Sequence, residues 1–188
     1  MNAQIDISGI RLTTRRLILR PWQEEDLDDF FAYASVDGVG QMAGWTPHKD
    51  MDESRRILSH FISGKHVFAL EHHGKVIGSL GIEQYDEQLD PELSSLKGRE
   101  IGYVLAKDYW GQGLMPEAVD AVIRYLFETV KLDFIIAGHF IQNDRSRRVI
   151  EKAGFRYVRQ APYETRYDTV ETSMEYILTK DEWREKLC

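Results

Sequence analysis

Tyr109-Trp110-Gly111-Gln112-Gly113-Leu114-Met115-Pro116-Glu117-Ala118 joins a segment that reads as a strand to the longest helical pattern in the chain. Glycines at 111 and 113 let the backbone turn its N–H groups inward, and the helix that follows adds the positive end of its dipole. Such a turn can cradle a pyrophosphate. Pro116 suits the first helical turn, where its missing N–H breaks no intrahelical bond. Gly-x-Gly is a short pattern, and an ordinary glycine turn capped by proline explains it too. Neither Gly-x-Gly-x-x-Gly nor Gly-Lys-Ser/Thr is present, so a dinucleotide-binding Rossmann turn and a P-loop have no support.

Downstream of this loop, Pro116 to Val130 reads as a helix, Asp133 to Phe140 as a strand, and Asp144 to Ala153 as a helix that Gly154 ends. Phe155 to Arg159 and Thr172 to Thr179 are two more strands, and Lys180 to Leu187 is a short helical tail. Upstream, Glu100 to Ala106 is a strand, preceded by a polar loop from Asp86 to Gly98 that contains Pro91. His66 to Glu71 and Val76 to Gln84 flank His72-His73-Gly74-Lys75, a turn whose glycine suits positive φ, and so form a hairpin. Leu27, Phe30, Phe31 and Ala34 put a helix over Asp26 to Ala34, and Ile57, Leu58, Phe61 and Ile62 put another over Asp52 to Ser63. Gly38 to Lys49 is the loop between them. Arg11 to Pro21 ends in an alternating segment stopped by proline and reads as the opening strand. The order βααβββαβαββ is an α+β layer structure with one β-α-β unit, whose connection should be right-handed.

A chain of 188 residues with 43% hydrophobic content can bury a sizeable core and reads as a single domain over residues 1–188. Its apolar runs, such as Phe134-Ile135-Ile136-Ala137, fall far short of the roughly 20 residues that cross a bilayer, so no membrane partner is expected. Met1 to Asp6 lacks the basic and apolar regions of an export signal, and the single cysteine, Cys188, has no partner within the chain. Both features point to the cytoplasm. A net charge of −7 argues against nucleic acid as a partner. The local exception is Arg145, Arg147, Arg148, Lys152, Arg156 and Arg159, either a solvated helix face or the surroundings of one bound phosphate. Monomer and homodimer are both compatible with this chain.

Trp110-Gly-Gln-Gly-Leu-Met-Pro-Glu-Ala118 resembles the acetyl-CoA loop of the GNAT superfamily, in the form found in its ribosomal-protein N-terminal acetyltransferase (RimJ/RimL-like) branch. Thr14-Arg-Arg-Leu-Ile-Leu-Arg-Pro21, Gly78-Ser-Leu-Gly81, Glu100-Ile-Gly-Tyr-Val-Leu105 and Asn143-Asp-Arg-Ser146 with Glu151-Lys-Ala-Gly-Phe155 resemble further segments of that branch, in the same order. The resemblance implies a mixed, mostly antiparallel twisted sheet of about seven strands, splayed between the fourth and fifth and flanked by helices. It also implies acetyl-CoA as cosubstrate. The pantetheine would pair with Tyr103, Val104 and Leu105, and the pyrophosphate would sit on the loop from Trp110 through Gly111, Gln112 and Gly113 to Leu114 and Met115. Asn143 and Ser146 would face the pantetheine, with Arg148, and also Arg145 or Arg147, near the phosphates. Met115 departs from the general pattern, which has Gly or Ala there.

Acyl transfer from a thioester to an amine needs an unprotonated amine, a polarised carbonyl and a stabilised leaving thiolate. The resemblance makes Glu100 the expected base acting through water, and a backbone N–H near Val104 or Leu105 the polarising group. Many GNAT enzymes carry a tyrosine acid four residues before the Gly-Phe glycine; here that position is Ile150. Ser146, Tyr157, Tyr163, Tyr167 and water are the alternatives. Trp45 and His48 in the Gly38 to Lys49 loop, Tyr85 in the acidic segment Glu83 to Glu92, and His139 are the candidates for acceptor binding, although aromatic burial also explains Trp45. His60, His66, His72 and His73 lack a tetrahedral partner set with cysteine, so no metal is expected. The leading expectation is an N-acetyltransferase acting on a primary amine, either a protein N-terminus or a small molecule. The alternative is a non-catalytic acyl-CoA-binding module; a structural protein without CoA binding is a third class.

Overall fold

The expected opening strand is broken by its own polar middle. Over the residues that the computed structural model describes, 1–88 and 91–187, the chain begins with two short strands, β1 (Leu12–Thr13) and β2 (Ile18–Pro21). The Thr14 amide donates to the Leu17 carbonyl at 2.9 Å and closes a turn between them. Polar groups of that turn leave the sheet for Glu117, whose carboxylate accepts from the Thr14 hydroxyl at 2.6 Å, the Arg16 amide at 2.7 Å and Arg16 Nε at 2.8 Å. Among the described residues the sheet therefore has eight strands where the sequence predicts about seven. Leu89 and Asp90, inside the loop expected from Asp86 to Gly98, and Cys188 lie outside the described residues.

Two helices follow, α1 (Leu27–Ala34) and α2 (Met51–Gly64). Ahead of α1, the Asp26 carboxylate accepts from the Gln23 amide and from both terminal nitrogens of Arg20, each at 2.8 Å, which sets how the chain leaves β2. Asp50 caps α2 by accepting from the Glu53 amide at 2.8 Å. These helices lay Phe30, Tyr33 and Leu58 over one face of the sheet, against Trp22, Val67 and Ala69.

The hairpin of β3 (Val67–His72) and β4 (Lys75–Glu83) is as the sequence predicts. Its corner residues, His73 and Gly74, have φ of 51° and 77°, the left-handed pair that a tight two-residue turn requires. Next come β5 (Gly98–Leu105), then α3 (Leu114–Tyr125) prolonged by a π-helical turn over Leu126–Val130, then β6 (Phe134–Phe140) parallel to β5. The chain ends with α4 (Asp144–Ala153), the hairpin of β7 (Arg156–Glu164) and β8 (Val170–Thr179), and α5 (Lys180–Leu187). β7 and β8 run longer than the sequence predicts. Their outer residues pair as far as Glu164 and Val170 but are mostly exposed, so no apolar alternation marks them.

The sheet order is β1-β2-β3-β4-β5-β6-β8-β7. Helices α3, α4 and α5 cover the second face, where Leu19, Phe68, Leu80 and Ile101 pack with Leu114, Val122, Phe127 and Trp183. Among the described residues, no helix is long and apolar enough to cross a membrane. β5 and β6 are joined only from Gly98 opposite Phe134 to Ile101 opposite Ala137. Beyond that, β5 stays with β4 as far as Leu105 opposite Gly78, while β6 stays with β8 as far as Phe140 opposite Ser173. The sheet opens between them, and this is the expected splay.

The Glu117 clasp has a measurable signature. Burial alone would raise its pKa, but the hydrogen bonds from Thr14 and Arg16 and the Arg16 charge bring it below the ordinary value. Its charge therefore stabilises the fold above the usual carboxylate range, and that contribution fades as pH falls through the depressed value. Glu117→Gln should cost about 1–2 kcal/mol in urea unfolding at pH 7, with the deficit vanishing in acid.

Candidate active site

Gly111 and Gly113 both hold φ at 76°, a conformation that side chains penalise. Three hydrogen bonds shape the loop around them. The Trp110 indole N–H donates to the Leu105 carbonyl at 2.8 Å, the Gln112 side chain to the Asp108 carbonyl at 2.9 Å, and Arg16 to the Gln112 carbonyl at 2.8 Å. The first amides of α3 have no carbonyl one turn earlier to bond. Gly113, Leu114 and Met115, at the start of this helix, line the cleft. The bulk of Met115 is taken up by the core, where its side chain is buried. Gln112 is turned outward by its bonds to Asp108 and Arg16 and does not line the cleft with its neighbours.

The cleft fills the splay and has a volume of about 510 Å³. One wall is β5 from Glu100 through Tyr103 and Val104 to Leu105, and the other includes Gly138, His139 and Phe140 of β6. α4 closes one end. Asn143 caps that helix by accepting from the Ser146 amide at 3.2 Å, while its own amide reaches the Met42 carbonyl at 3.4 Å. Arg145, Arg148 and Lys152 line the cleft, with the Arg145 guanidinium 4.2 Å from the centre of the Trp110 ring. Arg147 is turned away to Asp144 at 3.0 Å. The free helix amides, the left-handed glycines and three cations together fit an anion of the diphosphate class.

Glu100 sits half-buried where the two strands part. Burial first, and then the charges of Glu175 and Glu83, push its carboxyl up to about 7. Glu83 lies directly opposite in the β4–β5 register. Glu175 is paired with Arg159 at 2.7 Å, which tempers its repulsion on Glu100 without cancelling it, and Glu83 lies 3.3 Å from His66. His139 forms part of the wall. Its Nδ1 is 2.8 Å from the Phe140 carbonyl, which can only accept, so Nδ1 carries a proton; in the neutral ring Nε2, 3.2 Å away, accepts from the Tyr176 hydroxyl.

Three expected acceptor residues are elsewhere. Tyr85 is buried against Phe134, 5.2 Å between ring centres, and its hydroxyl is 2.8 Å from the Met1 amine, away from the opening. His48 is buried under Phe30 and bonded to the Ser54 hydroxyl at 2.7 Å. Trp45 packs on Gly40, where a Cβ would lie 2.1 Å from the indole. Aromatic burial decides all three positions. From the same loop, Val39, Met42 and Ala43 line the cleft instead, and Tyr163 of β7 joins them across the opening. Nothing in the local pattern marks Val39, Met42 and Ala43, because a fold-over of the β7–β8 hairpin brings them together with Tyr163: the Arg166 amide donates to the Gly44 carbonyl at 2.8 Å. Of the other tyrosines weighed as acids, Tyr157 packs on Tyr176 and the Tyr167 hydroxyl donates to the Gln41 carbonyl at 3.3 Å. Among the described residues, no group of His, Cys, Asp and Glu is placed to hold a metal.

Residues 16–156 match the family model described as an acetyltransferase (GNAT) domain. The uncharacterized N-acetyltransferase YoaA of Bacillus subtilis (strain 168) is 31% identical over 173 residues, covering 84% of this chain and 92% of its own. A ribosomal protein uS5-alanine N-acetyltransferase of Escherichia coli (strain K12) is 26% identical over 161 residues, 80% of each chain. A solved GNAT-family acetyltransferase from Bacillus anthracis superposes with a TM-score of 0.79 at 22% identity, over 92% of this chain and 99% of that one, and shares the fold.

Two glycine substitutions should separate strain from crowding. A Cβ at Gly111 would meet nothing within 4 Å. Gly111→Ala should therefore lose only the left-handed penalty, about 1–2 kcal/mol in chemical unfolding. At Gly78 a Cβ would lie 2.4 Å from the Val104 carbonyl oxygen, a backbone atom on the cleft wall. Gly78→Ala should cost more than Gly111→Ala in the same experiment, since relief requires β5 to shift.

Proposed function

The chain belongs to the GNAT acetyltransferase family and is an acyl-CoA-dependent N-acetyltransferase, RimJ/RimL-like in its motifs, and on that premise we propose that it acetylates α-amino groups, with Glu100 as the base. The observation that carries this reading is the pairing, along one strand, of an anion cradle at the Leu105 end and a carboxyl near neutrality at the Glu100 end. In the proposal, amides from Gly113 to Met115, with Arg145 and Arg148, hold the diphosphate of acetyl-CoA. The free edge of β5 pairs with the pantetheine through the Tyr103 backbone; the Leu105 carbonyl on the same edge is already bonded to Trp110. Asn143 and Ser146 flank that arm. The Leu105 amide, on the free edge of β5, polarises the thioester carbonyl.

The amine nitrogen attacks that carbonyl, the C–N bond forms, and the C–S bond breaks with its electron pair going to sulfur. The amine proton passes to Glu100 through water. With Glu100 at about 7, an α-amine of about 7.7–8.0 gives up its proton across about one unit, roughly 1.4 kcal/mol. A lysine at about 10.4 faces more than three units, roughly 4.6 kcal/mol. The difference favours a chain terminus, in keeping with the uS5-alanine activity of the Escherichia coli relative.

Peptides with a free α-amine and no lysine should accept acetyl from acetyl-CoA at least tenfold faster than N-terminally blocked peptides with one free lysine; equal rates would remove the α-amine assignment. Glu100→Gln should lower kcat by roughly 10²–10⁴-fold while CoA affinity in calorimetry stays within about twofold. The wild-type rate should climb with pH until about 7 and lose that limb in the variant. Stability moves the other way. Because the folded state favours protonated Glu100, the wild type loses stability as pH rises from the ordinary carboxylate range through about 7, and Glu100→Gln should escape that loss.

A further inference from the structure

α4 carries no proton donor where a tyrosine is usual in this fold, since that position, Ile150, is buried in the core. β5 brings one from the other side. The Tyr103 hydroxyl lies 2.9 Å from Ser146 Oγ and 3.3 Å from the Ser146 carbonyl, and both residues line the cleft. Resting on the acetyl-transfer reading above, we propose that Tyr103 is a positioning residue for thiol departure: its hydroxyl donates to Ser146 Oγ and aims the single Ser146 proton at the sulfur leaving the acetyl group.

The assignment follows from counting protons. A phenol and a serine hydroxyl have one each, and a helix carbonyl can only accept. With no anion nearby, the Tyr103 proton can go to either Ser146 oxygen. When negative charge develops on a sulfur beside Ser146, one arrangement satisfies every group: Tyr103 donates to Oγ, and Oγ–H donates to sulfur. Two hydroxyls in series polarise each other, which strengthens the outer bond. Burial raises the phenol pKa and keeps it neutral, so the chain stabilises the thiolate by donation without itself ionising. The C–S electron pair stays on sulfur, which takes its proton from water as CoA departs. Sequence spacing hides this pair, because Tyr103 and Ser146 are 43 positions apart and meet only across the β5–α4 junction.

The test is the rate of CoA release from acetyl-CoA, with the fastest peptide amine and with water alone as acceptor. Tyr103→Phe keeps the ring and removes the hydroxyl; it should lower kcat about tenfold with KM for acetyl-CoA within about twofold. Ser146→Ala should lower kcat at least as much, the double variant should be no slower than Ser146→Ala alone, and Ser146→Thr should retain most of the rate. The pH limb near 7 should persist in all of them, since it belongs to Glu100. An unchanged kcat in Tyr103→Phe, or losses that multiply in the double variant, would overturn the positioning role while leaving acetyl transfer standing. A wild-type protein that binds CoA in calorimetry but releases none from acetyl-CoA would overturn both.

Discussion

A backbone group that leaves a sheet must find another partner, and this requirement governs the molecule from Gly102 onward. β5 is an interior strand, held by β4 from Glu100 to Leu105, yet from Gly102 to Leu105 its second edge faces no strand. One of the carbonyls so released, that of Leu105, is taken by the Trp110 indole. The remainder of the edge is an unfilled strand position in the middle of a fold. At Gly102 a Cβ would meet nothing within 4 Å, so the space beside it on that face is open. An extended ligand that supplies amide N–H and C=O groups is the chemical complement of such an edge.

The opening has opposite electrostatic ends. Around α3 and α4, helix amides and the Arg145, Arg148 and Lys152 side chains favour negative charge. At the foot of β5, Glu83, Glu100 and Glu175 favour positive charge or a shared proton, and Glu100 is pushed up to about 7 by burial first and then by the charges of Glu175 and Glu83. A site built this way suits an anion at one end and a basic nitrogen at the other. Tyr103 and Ser146 stand between them on the anion's side.

Much of this was legible beforehand. Helices α1 to α4 announced themselves by apolar periodicity, and the β3–β4 hairpin by His73-Gly74, because both signals depend only on neighbours within a turn or two. The glycine loop was legible for the same reason. The break at Thr14 was not, since its cause is a carboxylate at position 117. The outer halves of β7 and β8 were missed because they pair with each other at the surface and need no buried face. Trp45, His48 and Tyr85 looked like recognition residues by type, and packing against Gly40, Phe30 and Phe134 claimed them instead.

By itself the sequence determined the order of elements after the opening strand, the family, and the loop that suits a diphosphate, because each is written in short runs whose geometry is local. Only the tertiary structure decided that the sheet parts after Ile101, how far Glu100 is driven from its ordinary pKa, and that Tyr103 meets Ser146. Those outcomes depend on groups brought together across strands and helices, where burial and charge act through space and the order of residues along the chain carries no record of them.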